Sequence, residues 1–256
     1  MTTRLEALTR EAHPVETQPA EPHRVATRGA RAWDAWDAYL FDVDGTLLRS
    51  MDRVHVSSFA EAAEAILGRR ITLDGVTLHG STDTAILAEA CLKSGVAEQE
   101  LARNERTILA RMTQIVESRR RELRFRRMPG VVEALSWLSE RGALLGVATG
   151  NLERIGWTKI EECGLREWFS LGGFSDFFPV RAELVGNAAE LARGRLCNAS
   201  AAVCVVGDTP RDVEAARANG LGVIAVATGN FSFDELNALE PDICCSSLSA
   251  LLERAR

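Results

Sequence analysis

The chain has 256 residues, of which 46% are hydrophobic and 26% charged, and a formal net charge of -6. That is enough apolar material for one globular domain, or for a core with a modest insertion. The acidic balance argues against nucleic acid as the main partner, because binding a phosphate backbone needs a basic face. No run of about 18 apolar residues offers a membrane span, and the first residues lack the apolar core of a signal peptide. The expected location is therefore the cytoplasm. Six cysteines are scattered without metal-ligand spacing and read as free, mostly buried thiols.

Residues 1–36 mix Glu, Arg, Thr, Pro and Ala without a sustained period, and Pro14, Pro19 and Pro22 interrupt any helix. The expectation is a disordered arm, with Trp33 and Trp36 docking on the core. Next, Tyr39 to Phe41 reads as a buried parallel strand running into Asp42, Asp44 and Gly45. Residues two apart on an extended segment point the same way, so both carboxylates converge beyond the strand's carboxyl end. Gly45 allows a tight turn there, and Thr46 can help hold an anion. Like charges so placed call for a cation, and oxygen-only ligands favour Mg²⁺.

From residue 51 to 127 the spacing is helical, with helices expected over Met51–Gly68, Thr82–Lys93 and Ala97–Arg120, and a polar loop at Leu78–Thr84. Beyond Met128, helix and strand alternate. Strands are expected at Ala143–Ala148, Ala201–Val206 and Gly222–Ala227, with a weak one at Ile243. The fold class is α/β, a doubly wound parallel sheet with ligands at the strands' carboxyl ends. Its core is expected to comprise residues 37–50 and 128–256, and 51–127 to form a small all-helical insertion.

Two further strand ends carry chemistry. Leu144–Ala148 leads to Thr149, Gly150 and Asn151, where a hydroxyl and the first N–H groups of a helix can hold a phosphate; Asn151 as a plain helix cap would look the same. The strand at Val203–Val206 runs through Gly207 into Asp208, and Pro210 opens a helix that turns Asp212 back toward the tip.

Asp42-Val-Asp-Gly-Thr46 resembles the first motif of the haloacid dehalogenase-like (HAD) hydrolases, a family dominated by Mg²⁺-dependent phosphatases. Thr149 is similar to the second motif's phosphoryl-binding hydroxyl. The segment from Gly207 to Asp212 is similar to the fourth, metal-binding motif. The resemblance covers residues 38–256 and implies a Rossmann-like core under a helical cap, 51–127, that closes over small phosphorylated metabolites. It implies Asp42 as nucleophile, Asp44 as acid and base, and Mg²⁺ held by Asp42, the Asp44 carbonyl, Asp208 and Asp212. Thr149, Gly150 and Asn151 would clamp the phosphoryl oxygens.

The family's third motif is normally a lysine, and here the chain departs from the pattern. Lys93 lies in the expected cap and Lys159 follows Thr149 too closely, so Arg181 stands where the cation is expected. In the cap, His55, His79, Ser81 and Thr82 resemble substrate-facing residues and read equally well as structural features. The arginine-rich stretch Arg119–Arg127 reads as a solvated helix end rather than an anion funnel. The nearest-looking members are phosphoglycolate phosphatase-like enzymes. A sugar phosphomutase of the β-phosphoglucomutase type is the runner-up, and a non-catalytic phosphate-binding protein the rival from another class.

Overall fold

The computed structural model describes residues 23–254. Along the chain, the strands of the main sheet are β1 (Val25–Thr27), β2 (Ala38–Phe41), β5 (Leu144–Ala148), β6 (Leu171–Gly173), β7 (Val203–Gly207), β8 (Gly222–Val226) and β9 (Ile243–Cys245). Their spatial order is β1-β9-β8-β7-β2-β5-β6. All neighbours run parallel except β1, which pairs antiparallel with β9 through Val25–Cys245, Ala26–Cys244 and Thr27–Ile243. The remaining strands, β3 (Leu48–Ser50) and β4 (Phe125–Arg127), form an antiparallel ribbon of their own.

β2 is central because its residues are apolar on both faces and every one is buried. Tyr39 and Phe41 point to one layer, with Leu135 and Leu138 of α4 (Val131–Glu140), Ile160 of α5 (Glu153–Glu162) and Leu251 of α9 (Leu248–Arg254). Ala38 and Leu40 point to the other, with Leu184 and Ala188 of α6 (Arg181–Arg195), Val213 of α7 (Pro210–Ala218) and Leu236 of α8 (Phe233–Ala238). The strand's period of two thus builds a three-layer α/β core.

Between β3 and β4 lie α1 (Val54–Leu67), α2 (Asp83–Lys93) and α3 (Glu98–Ser118). They share an apolar cluster around Phe59, Leu87, Ile108 and Met112, which also takes in Leu152 and Ile155 beside the main sheet. The β3–β4 ribbon was not foreseen. It places the two chain crossings side by side, and β4 falls inside the stretch expected to be wholly helical.

Two other expectations are corrected. Residues 1–22 of the expected disordered arm lie outside the described residues, but the rest of that arm is structured, because β1 satisfies the open edge of β9 and the two tryptophans find apolar partners. β6 was missed because Leu171-Gly-Gly173 is too short and glycine-rich to show a period.

Trp33 and Trp36 dock on the core, Trp33 stacking on Trp137 with ring centroids 6.2 Å apart. The Tyr39 hydroxyl pins them: it donates to the Trp33 carbonyl at 2.9 Å and accepts from the Trp36 N–H at 3.1 Å. Tyr39 is fully buried. Tyr39→Phe strands both backbone groups and should lower unfolding stability by about 1–3 kcal/mol, measured as a shift of the urea midpoint at unchanged slope.

Candidate active site

The carboxyl ends of β2, β5 and β7 meet at one cleft of about 400 Å³, whose opposite wall is built by α1, α2 and the loop before α2. Asp42 and Asp44 stand at the tip of β2. The Asp42 N–H donates to the Val206 carbonyl at 2.8 Å, which carries the parallel register one residue past the strand. Gly45 follows with φ +96°, and a side chain there would occupy the place of the Asp208 carboxylate. Glycine is therefore demanded twice, by conformation and by the approach of β7's tip.

Asp42, Asp208 and Asp212 each present a carboxylate oxygen within 4.8 Å of the others, and all three are buried. Arg181, the first residue of α6, reaches into this cluster. Its Nη2 lies 2.8 Å from Asp42 Oδ1 and 2.6 Å from Asp212 Oδ1, and its Nε donates to the same Asp212 oxygen at 3.1 Å. The other Asp212 oxygen accepts from the N–H and hydroxyl of Thr209, at 3.0 and 2.7 Å, in the capping box that starts α7.

One guanidinium does not balance three carboxylates. Burial pushes the Asp42 carboxyl up to about 6 against the pull of Arg181, with Asp212 and Asp44 adding to the rise. Burial and the Asp42 and Asp212 charges raise Asp208 well above the carboxylate range. Burial works against the Arg181 charge, but the Asp212 and Asp42 carboxylates more than offset it and hold the group firmly protonated. A buried, oxygen-only set with surplus negative charge fits a hard divalent cation.

A second cation serves Asp44. Lys159 Nζ donates to Asp44 Oδ2 at 2.6 Å and to Asn151 Oδ1 at 2.7 Å. Asn151 Nδ2 donates to the same Asp44 oxygen at 2.9 Å and to Thr149 Oγ1 at 2.7 Å. Burial would raise the Asp44 carboxyl, but Lys159 and Asn151 overcome it and hold it below its ordinary range. The side chain stays about 40% exposed to the cleft, while that of Lys159 is 3% exposed.

The chain resembles known proteins. The sequence profile described as haloacid dehalogenase-like hydrolase matches residues 36–220. The chain belongs to the HAD-like hydrolases. It is 28% identical to the phosphoglycolate phosphatase of Agrobacterium fabrum over 83% of this chain and 89% of that one. It is 31% identical to Probable phosphatase IndB of Dickeya dadantii, over 50% of this chain and 55% of IndB, so that match spans only about half of the relative. Its fold resembles the crystal structure of a predicted phosphoglycolate phosphatase from Haemophilus somnus 129PT, with a TM-score of 0.62 at 18% identity, covering 86% of this chain and 98% of that one.

Within this cleft the geometry sorts the expected residues. Asp42, Asp44, Thr149, Gly150, Asn151, Arg181 and Asp208 line the cleft from the sheet side, and His55, His79 and Ser81 from the helical side. Thr46 and Thr82, expected at the substrate, line no part of it. Thr46 is fully buried and donates to Asp208 Oδ1 at 2.9 Å, so it fixes a carboxylate. Thr82 caps α2, accepting from the Ala85 N–H, and donates to the Pro179 carbonyl at 2.7 Å. It ties α2 to the segment that leads into Arg181.

Lys159, set aside as too close to Thr149, is part of the site. The reasoning failed because helix side chains lean toward the helix N-terminus. A lysine on the second turn of α5 can therefore reach back to the strand tips. The available signal was its place on an apolar face, four residues after Ile155 and beside Ile160.

Asp83, which belongs to the same loop as His79, Ser81 and Thr82, stands at the start of α2 and also lines the cleft. Its Oδ2 accepts from the Leu152 N–H at 2.8 Å and lies 3.1 Å from His55 Nε2. Its own N–H donates to the Gly150 carbonyl at 2.7 Å. A side chain on Gly150 would overlap the backbone of Ser81 and Thr82. Gly150→Ala should accordingly part the helical wall from the Thr149–Asn151 turn while leaving the sheet intact. We expect kcat/KM to fall at least tenfold, on the order of one misplaced phosphoryl contact, with amide exchange faster at the start of α2. Wild-type exchange there would refute the wedge.

Proposed function

We propose that the chain is a Mg²⁺-dependent phosphatase that cleaves a small-molecule phosphomonoester through an aspartyl-phosphate on Asp42. The observation that carries this reading is the placement of two carboxylates at one strand tip, Asp42 paired with Arg181 and Asp44 with Lys159. Such a pair can divide the labour of nucleophile and proton carrier.

In this reading Asp42 attacks phosphorus in line, and the bond to the leaving oxygen breaks. Asp44, ionised beside Lys159 in the resting site, takes up the proton that a phosphomonoester monoanion carries in, gives it to that oxygen and then takes one from the water that attacks the aspartyl-phosphate. Thr149, the Gly150 and Asn151 backbone, and Arg181 hold the phosphoryl oxygens in their most charged arrangement. Mg²⁺ would be held by Asp42, the Asp44 carbonyl and Asp208, with Asp212 behind, and would supply charge neutralisation at the phosphoryl group. Residues 51–127 act as a cap that excludes water, and the β3–β4 ribbon is its hinge. Phosphoglycolate, the substrate in the Agrobacterium relative's name, is the first compound to assay.

Asp42→Asn should abolish phosphate release without moving the unfolding midpoint downward, since the change is nearly isosteric and removes a buried charge. Chelation should abolish turnover and added Mg²⁺ restore it. Wild-type rates from the variant, or full activity in excess chelator, would refute the mechanism.

Arg181 gives a separate test. Arg181→Ala leaves Asp42 and Asp212 without their cation and should lower kcat by about two to three orders of magnitude. Arg181→Lys should recover part of that rate, because charge returns without the planar fork. An unchanged kcat in Arg181→Ala would place the phosphoryl cation elsewhere.

A further inference from the structure

The cleft has two unlike halves. At the sheet side the lining carries Arg181 and Lys159, both already paired with aspartates. The helical half, where the leaving group of a phosphomonoester held at Asp42 must lie, is lined by Val56, Phe59, Leu78, Ile86, Leu123 and Phe125. Phe59, Ile86 and Leu123 belong to the buried cluster of the helical layer, so this wall is packed and fixed in shape.

The charged groups of that half are acidic. Asp83 is 3% exposed and faces His55 Nε2 and the Leu152 N–H. Asp52 accepts from the Val54 and Arg124 N–H groups, at 2.9 and 2.6 Å. No lysine or arginine from residues 51–127 lines the cleft among the described residues. The arginines of the 119–127 stretch turn elsewhere: Arg119 pairs with Glu61 and Glu122, Arg120 with Glu161 and Glu162, and Arg127 donates to the Cys163 carbonyl. Arg49 of β3 also lines the cleft, with its Nη2 turned to the carbonyls of Thr228 and Gly229 at 3.0 and 3.3 Å. His79 is held by the Asn230 amide at 2.7 Å.

We infer that the leaving group of the substrate is an uncharged, largely apolar alcohol of branched-alkyl or aromatic character, and not a carboxylate such as glycolate. A carboxylate seated against this wall would lose its water, meet no cation from residues 51–127 and face Asp52 and Asp83. A sugar would have to set part of its hydroxyls against these six hydrocarbon side chains, although Ser50, His55, Ser81 and Asn230 also line the cleft. An apolar alcohol gains from the same burial, at about three- to fourfold in binding for each methylene taken out of water. The cleft's size is within the range of pockets that enclose such groups. This inference rests on the phosphatase reading proposed above and deepens it.

The test compares isosteres. Isobutyl phosphate has the shape of phosphoglycolate with two methyl groups in place of the carboxylate oxygens, and both leave as primary alkoxides. Phosphate release from these two and from benzyl phosphate is measured with Mg²⁺, and the Asp42→Asn variant supplies the blank. We expect kcat/KM for isobutyl and benzyl phosphate to exceed that for phosphoglycolate at least tenfold. In Val56→Arg, which sets a cation on the half-buried face of α1, the preference should shift toward phosphoglycolate by a similar factor. Equal or better turnover of phosphoglycolate by the wild type would overturn the inference and leave the phosphatase reading standing. So would a ratio that Val56→Arg, folded by its unfolding curve, leaves unmoved. Absence of Asp42-dependent release from all three esters, and from a wider panel of phosphomonoesters, would overturn the phosphatase reading and the inference with it.

Discussion

Four carboxylates gathered at two adjacent strand ends are the constraint from which the rest of this structure follows. Asp42, Asp44, Asp208 and Asp212 would repel one another in a buried setting, and the chain meets that cost by bringing Arg181 and Lys159 to the same place from two different helices. Neither cation could arrive without the parallel sheet. β5 must lie beside β2 for α5 to carry Lys159 over the Asp44 side, and β7 must lie on β2's other side for Asp208 to approach Gly45. Fold and charge balance are therefore one requirement.

The helical layer depends on the same strand tips. Asp83 satisfies the N–H of Leu152 just before α5, and Thr82 donates to the carbonyl of Pro179, two residues before Arg181. Both ties run from the start of α2 to segments that deliver a cation. A shift of the layer would be felt at Asn151 and at Arg181 through backbone that is itself bonded to α2. In the proposed cycle, closure of the helical layer and assembly of the charges would be coupled through these hydrogen bonds.

Much of this was legible in the sequence. An apolar run that stops in Asp42 and Asp44 leaves little choice but a strand tip, and Asp208 with Asp212 repeats the pattern with a helix start attached. What escaped notice had physical reasons. β1 is three residues whose pairing depends on the open edge of β9, which no local pattern announces. β6 hides behind two glycines. Thr46 read as an anion contact because a hydroxyl near a strand tip looks the same whether it faces the cleft or a neighbouring carboxylate, and Thr82 because a polar loop looks the same whether its hydroxyl faces a substrate or caps a helix. Burial alone separates those cases. Lys159 was discounted by counting residues along the chain, when the distance that matters runs up a helix axis and back along a flexible side chain.

The pairing also explains why arginine rather than lysine suits position 181. That residue bonds Asp42 and Asp212 at once through Nη2, and its Nε adds a second bond to the Asp212 oxygen, while Thr209 holds the other oxygen of Asp212. An ammonium could make the bridge from its one nitrogen but could not add the second bond from a fixed plane. At Asp44 the demand is opposite. Its carboxylate must accept and release a proton in the proposed cycle, and so needs a partner that can follow it. Lys159, on a flexible stem and shared with Asn151, meets that need. In the proposed cycle, a two-nitrogen cation at the group that would make the bond and a single-nitrogen one at the group that would carry the proton suit the different roles of the two aspartates.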